Sequence, residues 1–205
     1  MKRLLFLSLL LAGGMVFSEN DPASGANAVE GVPPAIGSPF TAEQQMIYDL
    51  WLVPHHSKLS PQMITSMRDW YGIPPIITLT ILGKETGMGD TVKGGRLVDV
   101  NNFGCMRYGT TTTKWGSLAD GKIWVGGKDW FTFPTAWVGM QAWGRYIKTG
   151  TRLHPNVYQP ILLQGEPDWD EFTSIYAEGA EWYSTEIKQI YKRIRELAAE
   201  HGFDW

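Results

Sequence analysis

The stretch "ILGKETGMGD", residues 81 to 90, ends an almost wholly apolar run with a glutamate and follows it with two glycines. Glu85 lies four residues after Ile81 and three after Leu82, so on a helix its carboxyl shares their face and leans toward apolar surroundings. Desolvation there disfavours the charged form, and the negative end of the helix dipole, in the last turn, favours the proton further. A carboxyl that keeps its proton near neutrality is a general acid, the group needed to protonate the leaving oxygen of a glycosidic bond. The competing reading is a solvated or ion-paired glutamate beside Lys84 at a helix end. Gly87 and Gly89 leave backbone room for a bulky substrate beside the acid.

Other residue types that could do chemistry are less well placed. His55 and His56 are adjacent and point to different sides of any regular element, with no spacing nearby that completes a metal site; no metal and no cofactor is expected. Cys105 is the single cysteine and reads as a small apolar packer rather than a thiol nucleophile. A glycosidase also needs an activated water or a nucleophile. Asp120 is the first choice for that second carboxylate, with Asp99 and Asp129 behind it. The substrate's own acetamido group could serve instead, or no water is needed if an anhydro product forms.

The elements that must hold these groups follow from periodicity. "TAEQQMIYDLWLVPHH" places Met46, Ile47, Leu50 and Trp51 at helical spacing behind Thr41 as N-cap. "SPQMITSMRDWYG" has Ser60 as cap, Pro61 at the first helical position and Gly72 at the end. "IPPIITLTILGKETG" is read as a helix from Pro75 to a C-terminal Gly87, being long for a strand. Further helices are predicted in "TAWVGMQAWGRYIKTG", "DWDEFTSIYAEGA" and "STEIKQIYKRIRELAAEHG". Between them, "TTTTKWGSLADGKIWVGGKDWFTF" alternates and carries two hairpin signals, Asp120-Gly121 and Gly126-Gly127, which predict a three-stranded antiparallel meander. The fold class is α+β, mostly α, with a small β lobe.

The chain of 205 residues suits one main domain. Residues 1–18 read as a signal peptide, 19–39 as a flexible Gly/Ala/Pro-rich linker and 40–205 as the folded domain. That makes the protein secreted or periplasmic, with no stable membrane insertion once the leader is cut. A net charge of -3 without a basic run excludes nucleic acid as the natural partner. Ten tryptophans in such a domain suit contact with sugar rings, and Trp115, Trp124 and Trp130 fall in the β lobe, whereas Trp143 fits a core stripe.

Several ordered blocks, "ILGKETGMGD", "NNFGCMRYG", "FTFPTAWVGMQAWGRYI" and "EWYSTEIKQIYKRI", together resemble the glucosaminidase family of bacterial cell-wall hydrolases, within the lysozyme-like superfamily. The resemblance runs from about Phe40 onward. It implies a lysozyme-like helical fold, a monomer, a groove for peptidoglycan glycan strands, and cleavage of the β-1,4 bond after N-acetylglucosamine. The family's general acid, the Glu of an "ETGWG-like" motif, falls on Glu85, with Met88 where the family has an aromatic. The family's "NNLFGIK" block matches one residue shorter, placing Asn101, Asn102, Phe103 and Gly104 at the groove floor. Its tyrosine near the scissile bond matches Tyr183, without the Asp-Pro that follows in the family.

Overall fold

A computed structural model describes residues 38–109, 118–150, 154–177 and 181–205. The expected leader, most of the expected linker and Trp115 lie outside the described residues. The described chain is mostly helical with one small antiparallel sheet, the α+β class expected from the sequence.

The first helix, α1 (Ala42–Ile47), starts in a capping box in which Gln44 N–H donates to Thr41 Oγ1 and Thr41 N–H to Gln44 Oε1. It continues as a π turn over Tyr48–Leu52. α2 (Pro61–Tyr71) has Ser60 as cap, Pro61 in its first turn and a left-handed Gly72 at its end. α3 (Pro75–Thr86) comes next; Ile76, Ile77, Thr78, Leu79, Thr80, Ile81 and Leu82 are consecutively buried, so the helix is enclosed on all sides. That explains the unbroken apolar run: no face of α3 is left for water. Gly87 stops it, in the left-handed conformation at φ 60° with its N–H on Leu82 O.

After the short α4 (Gly95–Asp99) the chain forms a hairpin, β1 (Gly121–Val125) with β2 (Lys128–Thr132), in register from Gly121↔Thr132 to Val125↔Lys128. Gly126 and Gly127 make the turn, both at positive φ, as a primed two-residue turn requires. Asp120-Gly121 is not a second turn. Asp120 sits just before β1 at the open end of the hairpin, its N–H donating to Thr132 O at 3.0 Å. The sheet has two strands among the described residues; the segment expected to form a third, before Asp120, lies mostly outside them. The far edge of β2 is met by residues 106–108: Phe131 N–H donates to Met106 O, Tyr108 N–H to Asp129 O, and Arg107 bridges to Trp130. The extra pairing segment therefore comes from the chain just after the Asn-Asn-Phe-Gly block.

α5 (Ala136–Thr149), capped by Thr135, α6 (Tyr158–Leu162) and α7 (Trp169–Tyr176), capped by Asp168, lead to the long α8 (Glu181–Glu200). α8 includes the three residues before Ser184, where the predicted helical segment started, so Trp182 and Tyr183 stand on its first turn. Ile187, Ile194 and Ala198 form its buried stripe. α8 lies along α3 in the most extensive helix pairing of the fold, while α2 packs α3 and α5, and α7 packs α8. Glu85, at the end of α3, is thereby set against the start of α8.

Candidate active site

The site is built where the last turn of α3 meets the first turn of α8. The phenol of Tyr183 donates a hydrogen bond to Glu85 Oε1. Glu85 is half-buried as a residue, and burial desolvates its carboxyl. The Cys105 thiol lies against the same residue, donating to Glu85 O at 3.6 Å. The electrostatic influence of Glu85 also reaches the phenols of Tyr183, Tyr176 and Tyr146, on three different helices; Tyr176 Oη itself donates to Gly104 O and Tyr146 Oη pairs with Tyr158 Oη.

Opposing effects act on the carboxyl of Glu85. Desolvation pushes its pKa above the ordinary carboxylate value; the hydrogen bonds from Tyr183 and Cys105 and the positive charge of Lys84 pull it down. Desolvation wins, and the acid is biased toward its protonated form. The neighbours respond in kind. Burial, then the nearby Glu85, push the Cys105 thiol well above its usual range, so it is no thiolate nucleophile. Burial and Glu85 likewise raise the phenols of Tyr183 and Tyr176. The groups that donate to Glu85, the Tyr183 phenol and the Cys105 thiol, are thus both neutral.

Lys84 does not neutralise the acid as a simple partner. Its ammonium pairs with Glu186 and lies 4.4 Å from the ring centre of Trp182 and 5.1 Å from that of Tyr183. Of the two readings of Glu85 open in the sequence, an ion pair with Lys84 is therefore not what the fold builds.

The Asn-Asn-Phe-Gly block positions the site without lining it. Asn102 is fully buried; its Nδ2 donates to Met106 O and Phe131 O at 2.9 and 3.0 Å, and its Oδ1 accepts from Met106 N–H at 2.8 Å. Asn101, also buried, donates to Phe133 O at 2.7 Å. Phe103 has no exposed surface, and Gly104 is buried with its carbonyl accepting from Tyr176 Oη at 2.7 Å. A Cβ on Gly104 would come within 2.0 Å of Trp143 Cδ1, so only glycine lets this loop pass the core tryptophan. These four residues, expected at a groove floor, instead tie the loop to β2 and to α7. They hold Cys105 against Glu85.

The other expected contacts scatter. Asp120 is exposed and its Oδ1 accepts from Thr132 Oγ1 at 2.6 Å, which clamps the hairpin; the groups that set the ionisation of Glu85 include no carboxylate. Asp129 pairs with Lys122 at 2.8 Å, and Asp99 is exposed at the end of α4. Trp124 is exposed on β1, whereas the Trp130 indole is tied down by donating to Val125 O at 2.9 Å. Leu59 and Phe103 fill the space beside Gly89 that was expected to receive substrate. Met88 is buried and helps line a cavity of about 220 Å³ with Gly83, Ile190 and Arg193, so it does not take the place of a sugar-facing aromatic. Sequence reasoning missed Tyr146, Tyr176 and Trp182 as neighbours of the acid, and read Cys105 without its contact to Glu85. Their one sequence signal is aromatic abundance, which does not say where a ring will pack.

No protein-family model, curated protein or solved structure matches this chain.

Proposed function

We propose that the protein is a peptidoglycan hydrolase that cleaves the β-1,4 bond after N-acetylglucosamine in glycan strands, with Glu85 as general acid. The observation that carries this reading is the carboxyl of the half-buried Glu85, held by the phenol of Tyr183 where α3 meets α8, with desolvation raising its pKa. The resemblance of the "ETGMG" and "EWYST" blocks to the glucosaminidase family supports the choice of substrate.

In this reading Tyr183 sets the geometry of proton transfer. Its hydroxyl donates to Oε1, so in the protonated acid Oε2 carries the proton and faces the glycosidic oxygen. As that proton leaves, negative charge grows on the carboxyl and the Tyr183 bond strengthens, which makes it an interaction worth more in the transition state than before it. The bond from the anomeric carbon to the protonated oxygen breaks, and water completes the sugar. The role of activating that water, or of intercepting the anomeric carbon, falls to Asp120 or to the substrate's own acetamido group.

The test is a zymogram on purified peptidoglycan with wild type beside Glu85→Gln, followed by mass spectrometry of the digest. Loss of activity by orders of magnitude and a reducing N-acetylglucosamine end are expected. Anhydro-muramic ends identify a lytic transglycosylase and reducing muramic ends a muramidase. Glycan binding that needs no turnover and ignores Glu85→Gln identifies a binding module.

A further inference from the structure

Trp182 stands one position before Tyr183 on α8, and Lys84 one position before Glu85 on α3, so two adjacent pairs meet across the same helix junction. One pair is the phenol and the acid. The other is an indole and a cation: Lys84 Nζ lies 4.4 Å from the Trp182 ring centre, and its side chain is only 12% exposed because the indole and Glu186 enclose it. Trp182 itself remains 61% exposed. Its ring sits 6.0 Å from that of Tyr183 at 62°, an edge contact, so that Tyr183 covers neither face of the indole and Lys84 lies over one.

A large, mostly exposed indole is costly unless something covers it, and this one is braced rather than mobile. The Lys84 ammonium rests against the ring as a cation–π contact, Glu186 fixes the ammonium, and Tyr183 fixes the edge. The result is a flat apolar plate, held in place before any ligand arrives, one side chain away from the acid. A pyranose ring presents a matching surface, its axial C–H groups forming an apolar face while its hydroxyls and acetamido group point outward into water. Stacking such a ring on the plate covers the indole at little entropic cost, since both partners are rigid.

We propose that Trp182 is a stacking subsite for an N-acetylhexosamine ring adjacent to the bond that Glu85 protonates. The proposal deepens the glycan-hydrolase reading of the Glu85 site and rests on it for the choice of sugar. The subsite is new relative to the residues put forward from the sequence, which looked for sugar contacts on the β hairpin. Lys84 acts as a positioning residue that holds the plate and does not itself touch the sugar.

The test uses the full chain carrying Glu85→Gln, which cannot consume its ligand, titrated with a tetramer of β-1,4-linked N-acetylglucosamine by calorimetry and tryptophan fluorescence. Adding Trp182→Ala is expected to weaken binding about tenfold and to remove most of the fluorescence change, while Trp182→Phe keeps affinity within about threefold of the parent. Because Trp182 is exposed, Trp182→Ala should melt within about 2 °C of the parent, which separates lost contact from lost fold. Equal affinity with and without the indole overturns the subsite, as does failure of the parent to bind the tetramer. In the Glu85 background, Trp182→Ala should raise KM on peptidoglycan more than it lowers kcat; an unchanged KM also counts against it. Should Glu85→Gln still digest peptidoglycan, the assignment of the acid falls, while the titration continues to judge Trp182 separately.

Discussion

The hydroxyl of Tyr183 donates to Oε1 of Glu85 across 98 positions of sequence, joining the first turn of α8 to the last turn of α3. That bond opposes the desolvation that raises the acid's pKa, so the pair sets the pH range over which Glu85 holds its proton.

Tyr183→Phe removes the donor and leaves the desolvation. The carboxylate loses a stabilising partner, so the pKa of Glu85 rises further above its ordinary value. The alkaline limb of kcat/KM on peptidoglycan should therefore move to higher pH even as the rate at the optimum falls on the order of a hundredfold. A limb that stays in place or moves to lower pH contradicts this account of the pair.

Glu85 should also leave a signature on stability. Its folded pKa lies above the unfolded carboxylate value of about 4.3, so between the two the native state binds more protons and unfolding free energy falls as pH rises. This contribution is fully present below the unfolded pKa and lost above the folded one. Glu85→Gln cannot ionise and still offers Tyr183 an acceptor. Melting midpoints of the two proteins should be close near pH 4, with the glutamine variant gaining as pH rises and the gap levelling off above the folded pKa. A gap independent of pH, or one favouring glutamate, would falsify the desolvation argument.

Asn102 should matter for folding and not for recognition. Asn102→Ala strands Met106 N–H and removes a donor from Met106 O and Phe131 O, all in buried surroundings. Leaving such groups unpaired costs about 3 kcal/mol, or a drop in melting temperature of about 6–12 °C for a domain of this size. KM measured well below the new midpoint should equal that of wild type; a raised KM with unchanged stability would restore Asn102 to the groove.

Asp120→Asn discriminates the two routes to the second half of the reaction. The amide keeps an acceptor for Thr132 Oγ1, so the hairpin clamp survives. Activity on peptidoglycan within about threefold of wild type is expected if the acetamido group of the substrate intercepts the anomeric carbon. A loss comparable to that of Glu85→Gln assigns Asp120 the water or the nucleophilic role.

How much was legible beforehand differs between fold and site. Ser60-Pro61 and Gly72 bound α2, Thr41 starts α1, and Gly87 ends α3, all where sequence signals put them, because capping involves residues three or four positions apart. The expected third strand lies mostly outside the described residues, and the sequence did not announce what meets the far edge of β2: residues 106–108, held by the buried amide of Asn102. The family resemblance put Asn101 through Gly104 at a groove floor. Burial turned them into internal fasteners.

By itself the sequence determined the longer helices, the Gly126-Gly127 turn and the position of Glu85 at the end of an apolar run, since periodicity, capping and such a run are properties of neighbours along the chain. Only tertiary structure decided what surrounds that carboxyl. The Tyr183 hydrogen bond, the Cys105 thiol, the phenols of Tyr146 and Tyr176 and the braced Trp182 come from segments 20 to 98 positions away. Desolvation, charge and hydrogen bonding act through space, and the packing of α8 along α3 brings Tyr183 and Trp182 to the end of α3, while the loop after α4 brings Cys105.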